Sequence, residues 1–401
     1  MKSALAQYCI VTASYWAFTL TDGALRMLVV LYFHQLGYSP LEVATLFLLY
    51  EFFGIVTNLF GGWLAAHLGL NMTMQFGLAL QIVALLMLMV EPSLLSVAYV
   101  MVAQAVSGIA KDLNKMSAKS SIKLLLPDDA QGQLYKWVAI LTGSKNTLKG
   151  AGFFMGSALL AVMGFRAAVG TMAAALCVVL VLNWLLLQTH LGKTRYKPKF
   201  RDLLSKSPAI NRLSAARFFL FGARDVWFVV ALPVYLQAQL MWTDVEVGSY
   251  LALWVIGYGF VQTMAPRITG INSTAVPDGK TAFTWSLALC LVPASIGLFL
   301  YLGYQPEWTL VPGLLVFGFL FAINSSVHSF LIVSYARADG VSLDVGFYYM
   351  ANAGGRLTGT LLSGLIYQQY GIVACLVASS LLIAACTVIS AGLPAQKVEP
   401  A

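Results

Sequence analysis

Gly108-Ile109-Ala110-Lys111-Asp112-Leu113-Asn114-Lys115-Met116-Ser117-Ala118-Lys119-Ser120-Ser121-Ile122-Lys123 closes an apolar run that starts at Tyr99 and ends at Leu126. By length the run reads as a membrane helix. It nevertheless carries four lysines at strict i, i+4 spacing, which stacks them along one face. A cation at the bilayer centre costs roughly 2.5–3.5 kcal/mol on insertion scales. Such charges persist only where they face a watery cavity, a partner or an anionic substrate. The pattern recurs: Lys145 and Lys149 lie four apart in the next apolar segment, and Arg26, Arg224 and Arg356 lie inside three others. The stretch decides the fold as membrane-spanning and its interior as built for an anion.

Composition agrees. The 401 residues are 59% hydrophobic and only 10% charged, with a mean hydropathy of +0.80. Soluble domains carry about 25% charged residues. Apolar stretches long enough to span recur throughout, which marks a polytopic membrane protein rather than a soluble enzyme or a nucleic-acid binder. No cleavable signal is read at the start, because the first apolar segment runs too long for one. The five cysteines (Cys9, Cys177, Cys290, Cys375, Cys386) are scattered through apolar segments and form no C-x-x-C pair. They read as packing residues, with no metal site or disulfide framework. No cofactor is expected.

Hydropathy predicts an all-α membrane protein of twelve transmembrane helices, at 8–33, 41–68, 72–91, 94–119, 134–161, 166–190, 209–237, 245–267, 281–302, 309–336, 342–368 and 371–393. The expected organisation is a six-helix bundle over 1–190, a basic linker over 191–208 and a second six-helix bundle over 209–401. The linker carries Lys193, Arg195, Lys197, Lys199, Arg201 and Lys206. With the N-terminus in the cytosol, inside loops hold Lys2, those six cations, Lys280, Arg337 and Lys397, while outside loops hold only Arg166. That asymmetry is a positive-inside signal and puts both termini in the cytosol.

The halves echo each other at an offset of 204. Ser39-Pro40-Leu41-Glu42 opens the second helix and Thr243-Asp244-Val245-Glu246 the eighth; both fit a capping box. Two parallel six-helix repeats around a midplane site is a known transporter plan. At the end of the second helix, Gly61-Gly62-Trp63-Leu64-Ala65-Ala66-His67-Leu68-Gly69 resembles the major facilitator loop motif G-x-L-A-D-R-x-G-R-R. Ala66 replaces the motif's acid, His67 its arginine and Leu70-Asn71 its basic pair, so the usual charge relay of that loop is missing. The fifth helix, with Gly143, Gly150, Gly152 and Gly156, loosely resembles the glycine-rich fifth helix of the family's antiporters; small residues also simply permit close packing.

The candidate substrate-binding residues are the mid-helix cations. Lys111 and Lys115 lie deepest on the fourth helix, beside Asp112 and Asn114. Snorkelling to the inner interface accounts for Lys119 and Lys123. Lys145 is eleven residues into the fifth helix, about 16 Å at 1.5 Å per residue, and Lys149 is one turn further. Arg26 stands four residues from Asp22, near enough to pair within the helix. Arg217 and Arg224 align on the seventh helix, and Asn352 shares a face with Arg356 on the eleventh. Arginine offers a planar donor fork suited to phosphate-like oxygens. The candidates are therefore Arg26, Lys111, Lys115, Lys145, Lys149, Arg224 and Arg356. Candidates for proton coupling or gating are Asp22, Glu51, Asp112, Asp225 and His328. Only Glu51 lacks a cation close to it in sequence, and a buried unpaired carboxylate can carry a proton. His328 lies one turn from Asn324. Because cations outnumber acids, the empty site should be positive and its substrate multiply charged.

Four segments carry a more specific likeness. Ser14-Tyr15-Trp16-Ala17-Phe18-Thr19-Leu20-Thr21-Asp22-Gly23-Ala24-Leu25-Arg26, the Gly108–Lys119 run, Lys136-Trp137-Val138-Ala139-Ile140-Leu141-Thr142-Gly143-Ser144-Lys145-Asn146, and Phe221-Gly222-Ala223-Arg224-Asp225-Val226-Trp227-Phe228-Val229-Val230 resemble the ArsJ family of organoarsenical efflux permeases. The likeness covers essentially the whole chain. It implies a major facilitator fold, no enzymatic activity and a place in the bacterial inner membrane. It also implies export of 1-arseno-3-phosphoglycerate, the ester that glyceraldehyde-3-phosphate dehydrogenase makes when arsenate replaces phosphate. Proton antiport with alternating access is the expected drive. An arsenate and a phosphate at opposite ends suit two cationic clusters, and the basic segments hold no cysteine that would suit trivalent arsenic. An ordinary organophosphate or other multivalent organic anion is the alternative cargo.

Overall fold

The computed structural model describes residues 4–38, 45–126, 130–187, 207–242, 244–270, 276–337 and 341–395. The basic linker, apart from Ser207 and Pro208, and both capping-box starts at Ser39 and Thr243 lie outside the described residues. Helix dominates, and there are no strands among the described residues. In order the helices are α1 (Ala4–Gln35), α2 (Leu48–Leu68), α3 (Leu70–Met87), α4 (Val97–Leu125), α5 (Gln131–Leu186), α6 (Pro208–Phe228), α7 (Ala231–Leu240), α8 (Asp244–Ile268), α9 (Gly279–Tyr301), α10 (Pro306–Tyr335) and α11 (Val341–Ser390). Eight spans among them are long and apolar enough to cross a membrane, with α6 and α7 counted together. α4 is not one of the eight, because its lysines and Asp112 interrupt its hydropathy.

Two glycines and a proline set helix boundaries in this chain. The predicted fifth and sixth helices meet at Gly164 (φ 75°, ψ 173°) inside α5, and the predicted eleventh and twelfth meet at Gly371 (φ 74°, ψ −172°) inside α11, so each of these elements holds two helices joined across a kink. Positive φ costs glycine nothing, so one residue replaces a loop. The predicted seventh helix is broken between α6 and α7. Pro233 cannot donate an amide hydrogen and crowds the carbonyl four residues back, at Val229. The Ala231 amide freed at the break donates to Ser363 Oγ at 3.1 Å.

The chain forms two compact units. The first holds Met1–Asp129, Ser144–Ser205 and Ala336–Met350; the second holds Ala130–Gly143, Lys206–Tyr335 and Ala351–Ala401. Each unit thus includes the opening turns of one helix whose remainder belongs to the other. In the first unit, Phe33 and Phe165 anchor a buried apolar cluster, and Tyr32 stacks on Phe165 at 4.2 Å. In the second, Trp227, Trp254, Tyr258, Phe317 and Phe321 form an aromatic core, with Trp254 stacked on Tyr258 at 5.7 Å. Large apolar side chains such as Val162, Trp184, Leu185 and Val388 point outward. That outer surface suits lipid, and it leaves the polar residues to the interior.

Candidate functional site

In the first unit the opening segment Val341–Met350 docks on α2. Ser342 Oγ donates to the Gly62 carbonyl at 2.9 Å. A Cβ on Gly346 would come within 2.5 Å of the Asn58 carbonyl oxygen, so only glycine lets the two backbones approach this closely. The docking brings Tyr349 over the α4 lysines. Lys115 Nζ sits 4.3 Å and Lys119 Nζ 5.3 Å from its ring centroid. Lys119 is 2% exposed, so it does not snorkel as the sequence suggested; Lys123 is buried as well. Cation–π contact stands in for the water each ammonium loses.

Deeper in this unit lies an ion-pair network across α1, α2 and α4. Arg26 Nη2 bonds Glu51 Oε1 at 3.1 Å. Lys111 Nζ lies 4.0 Å from Glu51 Oε2 and 3.7 Å from Asp112 Oδ2, and Lys115 pairs with Asp112. Asn58 also hydrogen-bonds Asp112. Tyr50 donates to Asp22 Oδ1 at 2.7 Å, while its ring lies beneath Lys111 Nζ at 3.8 Å and Arg26 at 5.1 Å. Asp112 fits because Gly54 faces it: a Cβ there would be 2.8 Å from Asp112 Oδ2. Two sequence readings change. Arg26 pairs with Glu51, while Asp22 accepts from Tyr50. Glu51, chosen because it lacked a neighbouring cation, is supplied with two from other helices.

Lys145 and Lys149 are half-buried in the second part of α5, which packs against α1 in the same unit. Trp16 Nε1 donates to Ser144 Oγ at 2.7 Å. A Cβ on Gly23 would be 2.7 Å from the Lys149 carbonyl oxygen, and one on Gly152 would be 2.5 Å from that of Leu20. The glycines therefore serve close packing, and they set the Lys149 backbone beside the helix that carries Asp22 and Arg26.

The second unit gathers Arg224, Asp225 and Arg356. Asp225 is fully buried. Its Oδ1 accepts from Arg224 Nε at 2.6 Å and Nη2 at 2.5 Å, and its Oδ2 from Arg356 Nε at 3.2 Å. Phe221, Phe228 and Phe321 surround the Arg224 guanidinium at 4.9, 5.8 and 5.5 Å. Side-chain exposure is 15% for Arg224 and 29% for Arg356, so the guanidinia reach accessible space that their carboxylate does not. Arg217, two turns earlier on α6, is 3% exposed. It donates to Asn352 Oδ1 at 2.8 Å and to the Ser325 hydroxyl at 3.0 Å, tying α6 to α10 and α11. His328 is fully buried and neither ring nitrogen has a hydrogen-bond partner; both amide atoms of Asn324, one turn away, are likewise without partners.

The structure thus joins Arg26, Glu51, Lys111, Asp112 and Lys115 in one network and Arg224, Asp225 and Arg356 in another. Sequence reasoning missed Tyr50 and Tyr349. Tyr50 had a faint signal as the neighbour of Glu51. Tyr349 had none, since it reaches α4 from more than 200 residues away. Among the described residues, no group of three or more His, Cys, Asp or Glu could hold a metal ion.

A family model described as Major Facilitator Superfamily matches residues 11–270. A search of curated proteins by sequence finds no match. Solved structures match over nearly the full length. The human organic anion transporter MFSD10 (TETRAN) superposes with a TM-score of 0.77 at 16% identity, covering 97% of this chain and 100% of that one. The E. coli fucose:proton symporter gives 0.74 at 12% identity, with 98% and 100% covered. A bacterial homologue of the iron transporter ferroportin, in an outward-facing state, gives 0.71 at 13% identity, with 96% and 98% covered.

Proposed function

The chain belongs to the Major Facilitator Superfamily, and from that premise we propose that it exports an anionic organoarsenical, 1-arseno-3-phosphoglycerate, from the cytosol. It is a multi-pass membrane transporter and not an enzyme. The observation that carries the anion reading is the pair of networks in which partly accessible guanidinium and ammonium groups converge on carboxylates inside the helices. A small oxyanion can compete with those carboxylates for the same donors. The cations available to the cargo's anionic groups are Arg26, Lys111, Lys115, Lys145 and Lys149 in the first unit and Arg224 and Arg356 in the second.

Splitting α5 at Gly164 and α11 at Gly371 gives twelve crossings, with six-helix sequence halves at 1–190 and 209–401 joined by the basic segment 191–208. Positive-inside counting then leaves both termini in the cytosol of a bacterial inner membrane. Movement follows alternating access. An anion leaving a negative interior gains about 2.3 kcal/mol per charge per 100 mV, which favours export. The coupling expected from sequence is proton antiport, with Asp22, Glu51, Asp112, Asp225 and His328 as the titratable groups available for it. The functional partner is glyceraldehyde-3-phosphate dehydrogenase, as the source of the ester. The arsenical identity of the cargo rests on the resemblance of the charged helix segments. Another organophosphate or multivalent organic anion suits the same cations.

The test is arsenic uptake into everted membrane vesicles given arsenate, with or without glyceraldehyde-3-phosphate, NAD and the dehydrogenase. Uptake only with the full mixture is expected. Uptake of arsenate alone would make this an arsenate exporter. Lack of arsenic uptake, with 3-phosphoglycerate carried instead, would shift the reading to the organophosphate.

A further inference from the structure

We propose that Asp225 is the proton carrier of this transporter and binds its proton together with the anion, so that anion and proton cross in the same direction. This rests on the anion reading above. In the empty carrier Asp225 occupies the guanidinium edges that an oxyanion would use: both its oxygens are taken by Arg224 and Arg356. The two arginines are partly accessible and the carboxylate is not. An arriving anion therefore meets the arginines first and competes with Asp225 for them.

The surroundings decide what happens to the displaced carboxylate. Across from it on α11 stands Gly359, which offers no side-chain donor; a Cβ there would lie 3.0 Å from the Asp225 Cβ. Tyr258 of α8 lies within electrostatic range of Arg217, Arg224 and Asp225, but its hydroxyl is engaged with Gln262 and Ser325. Arg217 is committed to Asn352 and Ser325. His328 and Cys386 are the other titratable groups of this interior near Arg217. Once Arg224 and Arg356 turn to the anion, Asp225 is a buried carboxylate stripped of its cations. Burial without a counter-charge favours the protonated form. One proton from solvent on the entry side forms an O–H bond on Asp225. When the anion leaves, the arginines return and that proton departs to solvent on the exit side.

Asp112 does not meet the same fate. It keeps a hydrogen bond from Asn58 when its lysines turn away. Linkage is reciprocal: if the anion raises the proton affinity of Asp225, a proton on Asp225 raises the anion affinity by the same factor. This reverses the proton antiport expected from the sequence, which requires the opposite sign, with proton and anion excluding one another.

The experiment measures proton uptake with an indicator dye in weakly buffered, detergent-purified protein as 3-phosphoglycerate is added at about pH 7.5. There the phosphate, with its second pKa near 6, is already largely dianionic; cations can only draw protons off it, so any uptake belongs to the protein. Wild type should take up as much as one proton per anion bound. Its affinity should weaken as pH rises, by at most about tenfold per unit. Asp225→Asn should bind the anion more tightly, with no uptake. Asp225→Glu, which keeps a titratable carboxyl, should retain uptake and guards against a variant that merely misfolds. Binding by wild type without uptake or with proton release, or uptake surviving in Asp225→Asn, overturns the proposal while leaving the anion reading intact. No binding by wild type removes the anion reading, and the proton proposal with it.

Discussion

The two units solve the same problem with different cations. In the first, Arg26, Lys111 and Lys115 share two carboxylates, Glu51 and Asp112, spread over three helices. In the second, Arg224 and Arg356 converge on a single carboxylate. The aromatic company differs too: tyrosines with hydroxyls line the lysines, and phenylalanines wrap Arg224. Lysine is a point charge on a flexible stem, whereas arginine is a rigid fork that fixes the plane of its partner. The first network should therefore supply charge with loose geometry, and the second should supply orientation.

The strongest test exchanges cation types. Arg224→Ala should abolish transport with the protein still in the membrane, since losing one partner of a buried charged contact costs about 2–5 kcal/mol, or at least ~30-fold. Arg224→Lys keeps the charge but loses the fork, and should still cost about tenfold or more by the strength of a bidentate charge-assisted pair. Lys111→Arg should change transport by less than about threefold, because charge is retained and geometry is loose. Vesicle uptake normalised to protein level measures all three. Equal losses for Arg224→Lys and Lys111→Arg would erase the distinction between the units.

Removing the counter-ions probes stability. Asp225→Ala leaves two arginines facing each other without their shared acid, and should destabilise the purified protein by about 3–5 kcal/mol. Asp112→Ala should cost less, about 1–3 kcal/mol, since Glu51 still holds Lys111 and Lys115 keeps the Tyr349 face. Thermal unfolding in detergent, followed by tryptophan fluorescence, gives the order. A larger loss for Asp112→Ala would show that the first network is the more tightly balanced of the two.

Much of this was legible in the sequence because lipid makes charge conspicuous. Lys111, Lys115, Arg224 and Arg356 announced themselves by lying in apolar runs, and no propensity argument was needed. Pairing was not legible. Arg26 has Asp22 one turn away, yet it reaches Glu51 across a helix boundary, because Tyr50 claims Asp22 instead. Local spacing counts neighbours along one helix, whereas these networks are assembled across three. The burial of Lys119 shows the same limit. Its position near the cytosolic end of α4 suggests snorkelling, but the opening turns of α11 lay Tyr349 against it. The helix ends at Gly164 and Gly371 were legible as well: the boundaries expected at 161/166 and 368/371 fall at the positive-φ glycines that turn the chain.

The smallest expected effect sharpens the aromatic half of the comparison. Tyr50→Phe makes the first network resemble the second: the ring stays beneath Lys111, and the hydroxyl that bonds Asp22 is lost. A neutral donor removed from a buried carboxylate should cost about 1–2 kcal/mol, while the cation–π contact, worth roughly 0.5–2 kcal/mol, survives. Stability should therefore fall by a few degrees in the melting temperature, and anion affinity should change by less than about fivefold, since 1.4 kcal/mol is tenfold. Tyr50→Leu loses both contacts and should roughly double the loss of stability. If Tyr50→Phe instead weakens anion binding as severely as Arg224→Lys, then Asp22 controls the cations of the first network as tightly as Asp225 controls those of the second. The first network would then be as dependent on geometry as the second, although two of its three cations are lysines.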